Sequence, residues 1–250
     1  MVQRMVKMKL SKTKREIRLI KKSAEISNSC LPLIEDLLKK EEVTEREIAR
    51  AIRRNIYGQG ASLAFKTIVT CGKRAARIHS KPEATNKIIS GLGYVDFGAS
   101  YKGYKTDVTV PFIKDKISKR ERKITQTVLK AYELAVNSIE SGLPCWKVYE
   151  KVNRFLRKRG FKMTHSLGHG VGLKIHELPA ITMPRKKLTR KKRLIWKKLE
   201  KIRFREGMVF TIEPGIYVKG LSGCRLENTI LLTRGMPMPL TKAKLLLIKF

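Results

Sequence analysis

The chain predicts an α+β fold built from two similar halves, roughly residues 12–115 and 117–250, that could share one sheet. Two observations carry this reading. Each half opens with apolar residues at helical spacing, and each closes with β-rich, glycine-punctuated segments. In the first half, Ile17, Leu19, Ile20, Ala24, Ile26, Leu31, Ile34 and Leu38 recur among charged residues over 12–40, with Pro32 as the expected break. Thr44 precedes Glu47 by three positions, the spacing of a helix-start capping box, and Ile48, Ile52 and Ile56 supply the buried stripe until Gly58. Leu63–Cys71 and Tyr94–Phe112 then read as strands. The second half repeats the order. Helical spacing returns over 117–141 and 144–158, separated by Gly142 and Pro144, and strands are expected at Met208–Val218 and Cys224–Thr233.

A chain of 250 residues with 42% hydrophobic content can fill a real core, so general disorder is excluded and a single domain over 1–250 is expected. Lys and Arg number 56 against 21 Asp and Glu, a formal net charge of +35 that favours anionic partners but names no function. Cys30, Cys71, Cys145 and Cys224 form no C-x-x-C pair, and the N-terminus has no apolar core resembling a secretion signal. Reduced thiols and a cytoplasmic location are the expectation. No run approaches the roughly 18 apolar residues of a membrane span, so no membrane association is expected.

Two segments are unusually basic. Residues 185–205 hold 12 basic residues in 21, with Leu188, Ile195, Leu199 and Ile202 on one helical face. This reads as a helical insertion that is either solvated and laid on the body through that stripe, or a contact surface for nucleic acid or another polyanion. The N-terminal extension, about 1–11, continues into a first 22 residues with nine Lys or Arg and one Glu, and poses the same choice.

The chemistry lies elsewhere. Aspartate is scarce, yet Asp96 and Asp107 share one hairpin-like segment, YVDFGASYKGYKTDVTV. A turn centred on Tyr101 and Lys102 would place them opposite each other, with Cβ atoms about 5 Å apart. Glu213 and Glu227 are equidistant from Gly220 and become cross-strand neighbours in the same way. Paired carboxylates repel, and the repulsion is relieved by protonation, by basic side chains or by divalent cations. Three of the four histidines, His165, His169 and His176, lie in HSLGHGVGLKIHELP, and the fourth is His79. His165 and His169 would share a face of an extended chain, and the neighbouring glycines admit a close backbone or ligand. One imidazole with four carboxylates suits two cations such as manganese, cobalt, iron or zinc. Taken singly, each residue reads as a turn former or a satisfied polar group; the combined pattern favours a metal centre.

VDFGASYKGYKTDVTVPF, HSLGHGVGLKIHELP, GMVFTIEPGIYV and GCRLENTILL, in this order, resemble the dinuclear-metal motifs of the pita-bread peptidases, which include aminopeptidase P, prolidase and methionine aminopeptidase. The resemblance extends from about Lys12 onward. It implies a curved, mostly antiparallel sheet between pseudo-symmetric halves. It also implies a metal set of Asp96, Asp107, His169, Glu213 and Glu227, with Asp107 and Glu227 bridging and His169 completing one ion's shell. TIVTCGKRAARIHSKP resembles the segment of aminopeptidase P and prolidase that ends in a substrate-side histidine, here His79; His165 and Arg225 also match the proline-specific branch.

On that resemblance, His79, His165, His176 and Glu213 are the catalytic candidates, and Arg225 orients the carboxylates. The implied activity is release of an N-terminal residue preceding proline from a peptide with a free N-terminus. A methionine aminopeptidase, or a nucleic-acid or ribosome-binding protein reusing the fold, are the alternatives. RNA or ribosome contact through the basic surface, and a homodimer, stay open. The separate N-terminal domain usual in aminopeptidase P and prolidase is expected to be absent here, the run KRAAR stands where that branch has an asparagine-containing one, and 185–205 resembles no segment of the family. These departures bear on whether dipeptides or longer peptides are preferred.

Overall fold

A computed structural model describes residues 10–83, 86–183 and 189–249. The first half begins with helices α1 (Lys14–Asn28), α2 (Cys30–Leu38) and α3 (Glu45–Gly58). Capping boxes fix the starts of α1 and α3: Thr13 pairs with Glu16, and Thr44 with Glu47. Each satisfies amides that a helix start leaves exposed, worth about 1 kcal/mol. The break in the first helical stretch falls at Ser29 rather than Pro32. Pro32 instead sits in the first turn of α2, where its missing N–H is not needed.

Strands Ile68–Cys71, Gly91–Phe97 and Val108–Lys114 form an antiparallel sheet, to which Leu246–Ile248 adds in parallel beside Val108–Lys114. Ile34, Leu38, Ile48 and Ile52 pack on Val95, Phe97, Val110 and Phe112 to make the first core.

The second half repeats the plan. Helices α4 (Lys119–Val136) and α5 (Cys145–Arg157) cover an antiparallel sheet ordered Glu177–Ile181, Gly168–Gly170, Val209–Ile212, Asn228–Thr233, Met236–Pro239. Ile124, Val128, Val148 and Val152 bury against Phe210 and Ile230. Helix α1 packs on both halves: Ser23 Oγ donates to Ala99 O and Ser27 pairs with Thr106 in the first, while Ile20 and Ala24 pack on Val171, Val209 and Leu231 of the second. The two sheets do not run on as one ladder. They meet at a bridge in which Thr109 N donates to Glu227 O at 3.3 Å and Glu227 N donates to Thr109 O at 3.1 Å.

Of the basic insertion, 185–188 lie outside the described residues, including Leu188; Arg190–Leu199 forms helix α6. Ile195, Leu199 and Ile202 are only half-buried, and Ile202 packs on the second core. The basic run at residues 1–9 also lies outside the described residues. Among the described residues no helix is long and apolar enough to cross a membrane.

Candidate active site

The carboxylates come from two hairpins, one per half. In the second, Gly215–Val218 pairs with Ser222–Arg225, and Ile212 pairs with Asn228 in the same register. That register sets Glu213 opposite Glu227, as the spacing about Gly220 predicts. In the first hairpin the expected register is wrong. Tyr101 pairs with Tyr104, so the turn centres on Lys102 and Gly103, and Asp96 faces Thr109. Both turn residues have positive φ, 49° and 85°, the conformation of a tight two-residue hairpin turn that glycine accommodates. Asp107 is therefore a diagonal neighbour of Asp96, still close enough for the two carboxyls to interact.

Of the second half's histidines, His165 precedes, His176 follows and His169 lies on the strand Gly168–Gly170. Its glycines are required by neighbouring backbone: a Cβ on Gly168 would lie 1.9 Å from Thr211 O, and one on Gly170 2.1 Å from Leu178 O. The strand thus sits deep between its neighbours and carries His169 into the acidic cluster. His169 Nε2 lies 3.6 Å from Asp107 Oδ2 and 3.7 Å from Glu213 Oε1.

His79, Asp96, Asp107, His165, His169, His176, Glu213, Arg225 and Glu227 all line one cavity of about 750 Å³. Its floor is buried, whereas His79 and His176 stand exposed at its walls. The His176 ring meets the His169 ring edge to face, with centroids 4.4 Å apart.

The floor has the polarity of a cation cage. Burial, reinforced by neighbouring carboxylates, holds Asp107 and Glu213 well above the usual carboxyl range, and burial pushes Glu227 up to about 7. Burial also raises Asp96, although Arg225 pulls it back. Burial pulls His169 down to about 4, keeping it neutral. Its Nδ1 faces Gly170 O at 3.1 Å, and a carbonyl only accepts, so the proton is on Nδ1. The Nε2 lone pair then points at carboxyl oxygens, an arrangement that is repulsive unless a proton or a cation lies between. Asp96 Oδ1, Asp107 Oδ1 and Glu227 Oε1 are buried with no hydrogen-bond partner. Ligand atoms of Asp107, His169 and Glu227 lie within 4.8 Å of one another. Orphaned anionic oxygens beside a neutral imidazole fit divalent cations of the manganese, cobalt, iron or zinc type.

Arg225 spans the cage from beneath. Its guanidinium donates to Asp96 Oδ2, to Thr109 Oγ1 at 3.1 Å and to Tyr217 Oη at 2.6 Å. Thr109 Oγ1 in turn donates to Glu227 Oε2 at 2.7 Å. Tyr217 Oη is 3.0 Å from His165 Nε2, and His165 Nδ1 is 2.7 Å from Ser166 O. The Ser166 carbonyl fixes the His165 proton on Nδ1, so Tyr217 donates to Nε2 and Arg225 donates to Tyr217. Both His165 nitrogens are thereby committed to protein partners; burial, with the Arg225 charge second, pulls this imidazole to about 4.

Tyr217 and Thr109 belong to the site as well, although the sequence motifs do not mark them. Strand parity could have found Tyr217, which shares the face of Glu213 and Arg225. Gly215 and Gly223 make room for it: a Cβ on Gly215 would lie 2.5 Å from Tyr217 Oη, and one on Gly223 2.8 Å from its ring.

The profile of metallopeptidase family M24 matches residues 18–234. Xaa-Pro dipeptidase of Pyrococcus furiosus is 32% identical over 241 residues, covering 95% of this chain and 64% of that protein. The structure of a Xaa-Pro dipeptidase from Bacillus anthracis aligns with a TM-score of 0.85 at 31% identity, over 96% of this chain and 64% of that one. X-Pro aminopeptidase from Thermotoga maritima aligns with a TM-score of 0.85 at 29% identity, over 100% of this chain and 67% of that one. The chain thus spans about 64% of the length of the Pyrococcus relative.

Proposed function

The chain belongs to metallopeptidase family M24, and from that premise we propose that it is a two-metal exopeptidase releasing an N-terminal residue that precedes proline. The single observation that carries the reading is the convergence of Asp96, Asp107, His169, Glu213 and Glu227 on one buried floor, with orphaned oxygens on three of them. Relatives named as Xaa-Pro peptidases support the proline-specific branch over methionine aminopeptidase.

Asp96, Asp107, His169, Glu213 and Glu227 would hold the ions. The chemistry that a divalent pair supplies in such a cage is acidification of a water and polarisation of a carbonyl. The remaining work falls to the chain's own groups. Glu213, whose carboxyl is held above the ordinary range by burial and by Glu227, accepts the proton of the attacking water and returns a proton to the departing proline nitrogen. The water oxygen bonds to the scissile carbon as the carbon–nitrogen bond breaks. His176 and His79, at the cavity walls, donate hydrogen bonds to the carbonyl oxygen as it gains charge. Arg225 and Tyr217 hold Asp96 and His165 in fixed orientations, which lowers the reorganisation needed at each turnover. The acidic floor also attracts a free α-amine, which explains action at the N-terminal residue. Four buried, unpaired cysteines support a reducing, cytoplasmic setting.

The test is a panel of Xaa-Pro and Met-Ala peptides assayed after chelation and after re-addition of each metal, with Asp107→Asn as control. Xaa-Pro cleavage that requires both metal and Asp107 is expected. Cleavage of Met-Ala alone would overturn the branch assignment, and activity independent of metal and Asp107 would overturn the mechanism.

A further inference from the structure

A second cavity, of about 790 Å³, adjoins the first and shares with it the wall Thr164, His165 and Ser166. Its opposite side is α5 and the segment after it, which contribute Asn153, Arg154, Arg157 and Lys162. The lining is strongly cationic. Among the described lining residues Glu150 is the one carboxylate, and it is occupied by Arg154, 3.6 Å away. Arg157 and Lys162 are exposed and have no carboxylate partner among the described residues.

Taking the exopeptidase reading as its basis, we propose that this chamber binds the downstream part of peptides longer than two residues and selects a carboxylate there. An enzyme that removes one N-terminal residue leaves only one residue on that side of the cleaved bond, so a further chamber that takes peptide takes the leaving part. The first cavity is already of a size that encloses a small ligand, and a dipeptide needs no second one. The shared wall touches the cage directly, since His165 Nδ1 is 3.6 Å from Glu213 Oε2. An extended chain advances about 3.3–3.6 Å per residue, so the third to fifth residues of a substrate reach past that wall. What meets them is an Arg and a Lys whose charges are unspent. The carboxylate can be an Asp or Glu side chain or the peptide's own C-terminus.

The overall charge of +35 attracts any acidic peptide, so the test must separate local from global effects. At 0.15 M salt, charges beyond about 8 Å are largely screened, whereas contacts inside the chamber persist. The enzyme loaded with metal is assayed on Ala-Pro-Gly-Glu-amide and Ala-Pro-Gly-Lys-amide. Ala-Pro-Gly-Gly, as free acid and as amide, distinguishes the two carboxylate sources. The variants are Arg157→Ala with Lys162→Ala, and a matched control, Arg50→Ala with Arg54→Ala, which removes two exposed charges from α3 that line neither cavity.

We expect kcat/KM to favour the Glu over the Lys peptide by about fivefold, the preference to vanish in the chamber variant and persist in the control, and Ala-Pro turnover to be equal in all three proteins. A wild type without the preference, or a preference that survives in the chamber variant, overturns the proposal. Calorimetric titration of the same peptides into chelator-treated protein separates it from the peptidase reading. A Glu-over-Lys affinity ratio that depends on Arg157 and Lys162, together with no hydrolysis by the metal-loaded protein, leaves the chamber standing and removes the exopeptidase, while hydrolysis of Ala-Pro by the metal-loaded protein without charge discrimination does the reverse.

Discussion

Glu45 and Arg74 form a two-point ion pair inside the first half, with Arg74 Nε and Nη2 each 3.2 Å from a different Glu45 oxygen. Glu45 has no exposed side-chain surface, and its oxygens also accept from Glu83 N at 3.0 Å and Asn86 Nδ2 at 2.5 Å. Arg74 reaches on to Lys81 O at 2.7 Å, and Ser80 Oγ donates to Arg74 O at 3.0 Å. The knot ties the first turn of α3 to the loop that presents His79. Removing one partner strands the other charge in a dry site, which costs about 3–5 kcal/mol. Arg74→Ala should therefore lose that much in a urea titration, and its folded fraction should show a raised KM for Xaa-Pro substrates because the His79 loop is released. Arg74→Lys should recover little, since a lysine cannot make the fork. Loss below about 1 kcal/mol would mean that the pair is not what holds the loop.

The stability of metal-stripped protein should fall as pH rises from about 6.5 to 8.5. Asp107 and Glu213 have folded-state carboxyls held well above their ordinary range by burial and mutual repulsion, and Glu227 is near 7. Over this window the unfolded carboxylates are already ionised, so the folded state holds more protons and loses them as pH rises. His165 and His169, pulled down by burial to about 4, act oppositely, but only below their ordinary value of 6.5. Added divalent cation should restore the melting temperature at pH 8.5 far more than at pH 6.5. A flat or rising profile in thermal melts of the stripped protein would contradict the acidic-cage description.

The four cysteines should be silent toward a thiol reagent in native protein at pH 8. Burial pushes Cys30, Cys71, Cys145 and Cys224 up to about 12, so the reactive thiolate is scarce as well as shielded. Reagent should count all of them once guanidinium is added, and prompt labelling of native protein would show that one of these cores opens locally.

Gly223→Ala should be costly where Gly58→Ala is not. A Cβ at Gly223 would lie 2.1 Å from Ala75 O, in the single-turn helix Gly72–Ala76, whereas nothing lies within 4 Å of one at Gly58. Overpacking of this kind costs about 1–3 kcal/mol. Because Gly72–Ala76 leads into the His79 loop, the Gly223 variant should also raise KM, and equal behaviour of the two variants would dismiss the close approach as the reason for the glycine.

Much of this was readable in advance because turns and strand parity are local. Gly220 lies midway between Glu213 and Glu227 and pins their register without reference to anything distant. The same logic failed for Asp96 and Asp107 because Gly103, not Tyr101, supplies the backbone freedom of the turn, and a one-residue change in the centre moves each partner by two. Pro32 breaks a helix only where its missing N–H falls in the helix interior, and a helix that starts at Cys30 makes it harmless. Tyr217 and Thr109 escaped notice for another reason. A tyrosine or threonine carries no charge pattern, and their roles arise only when two sheets from opposite ends of the chain bring Arg225 between them.

The reciprocal backbone pair between Thr109 and Glu227 places the anionic floor astride the seam where one half of the molecule is stitched to the other. Ions gripped there would act as rivets as well as reagents, since whatever binds only the closed seam also holds it shut. Starvation for metal would then register first as mechanical loosening along that line, and a drug or regulator that pries the halves apart would disable the site without ever entering its pocket.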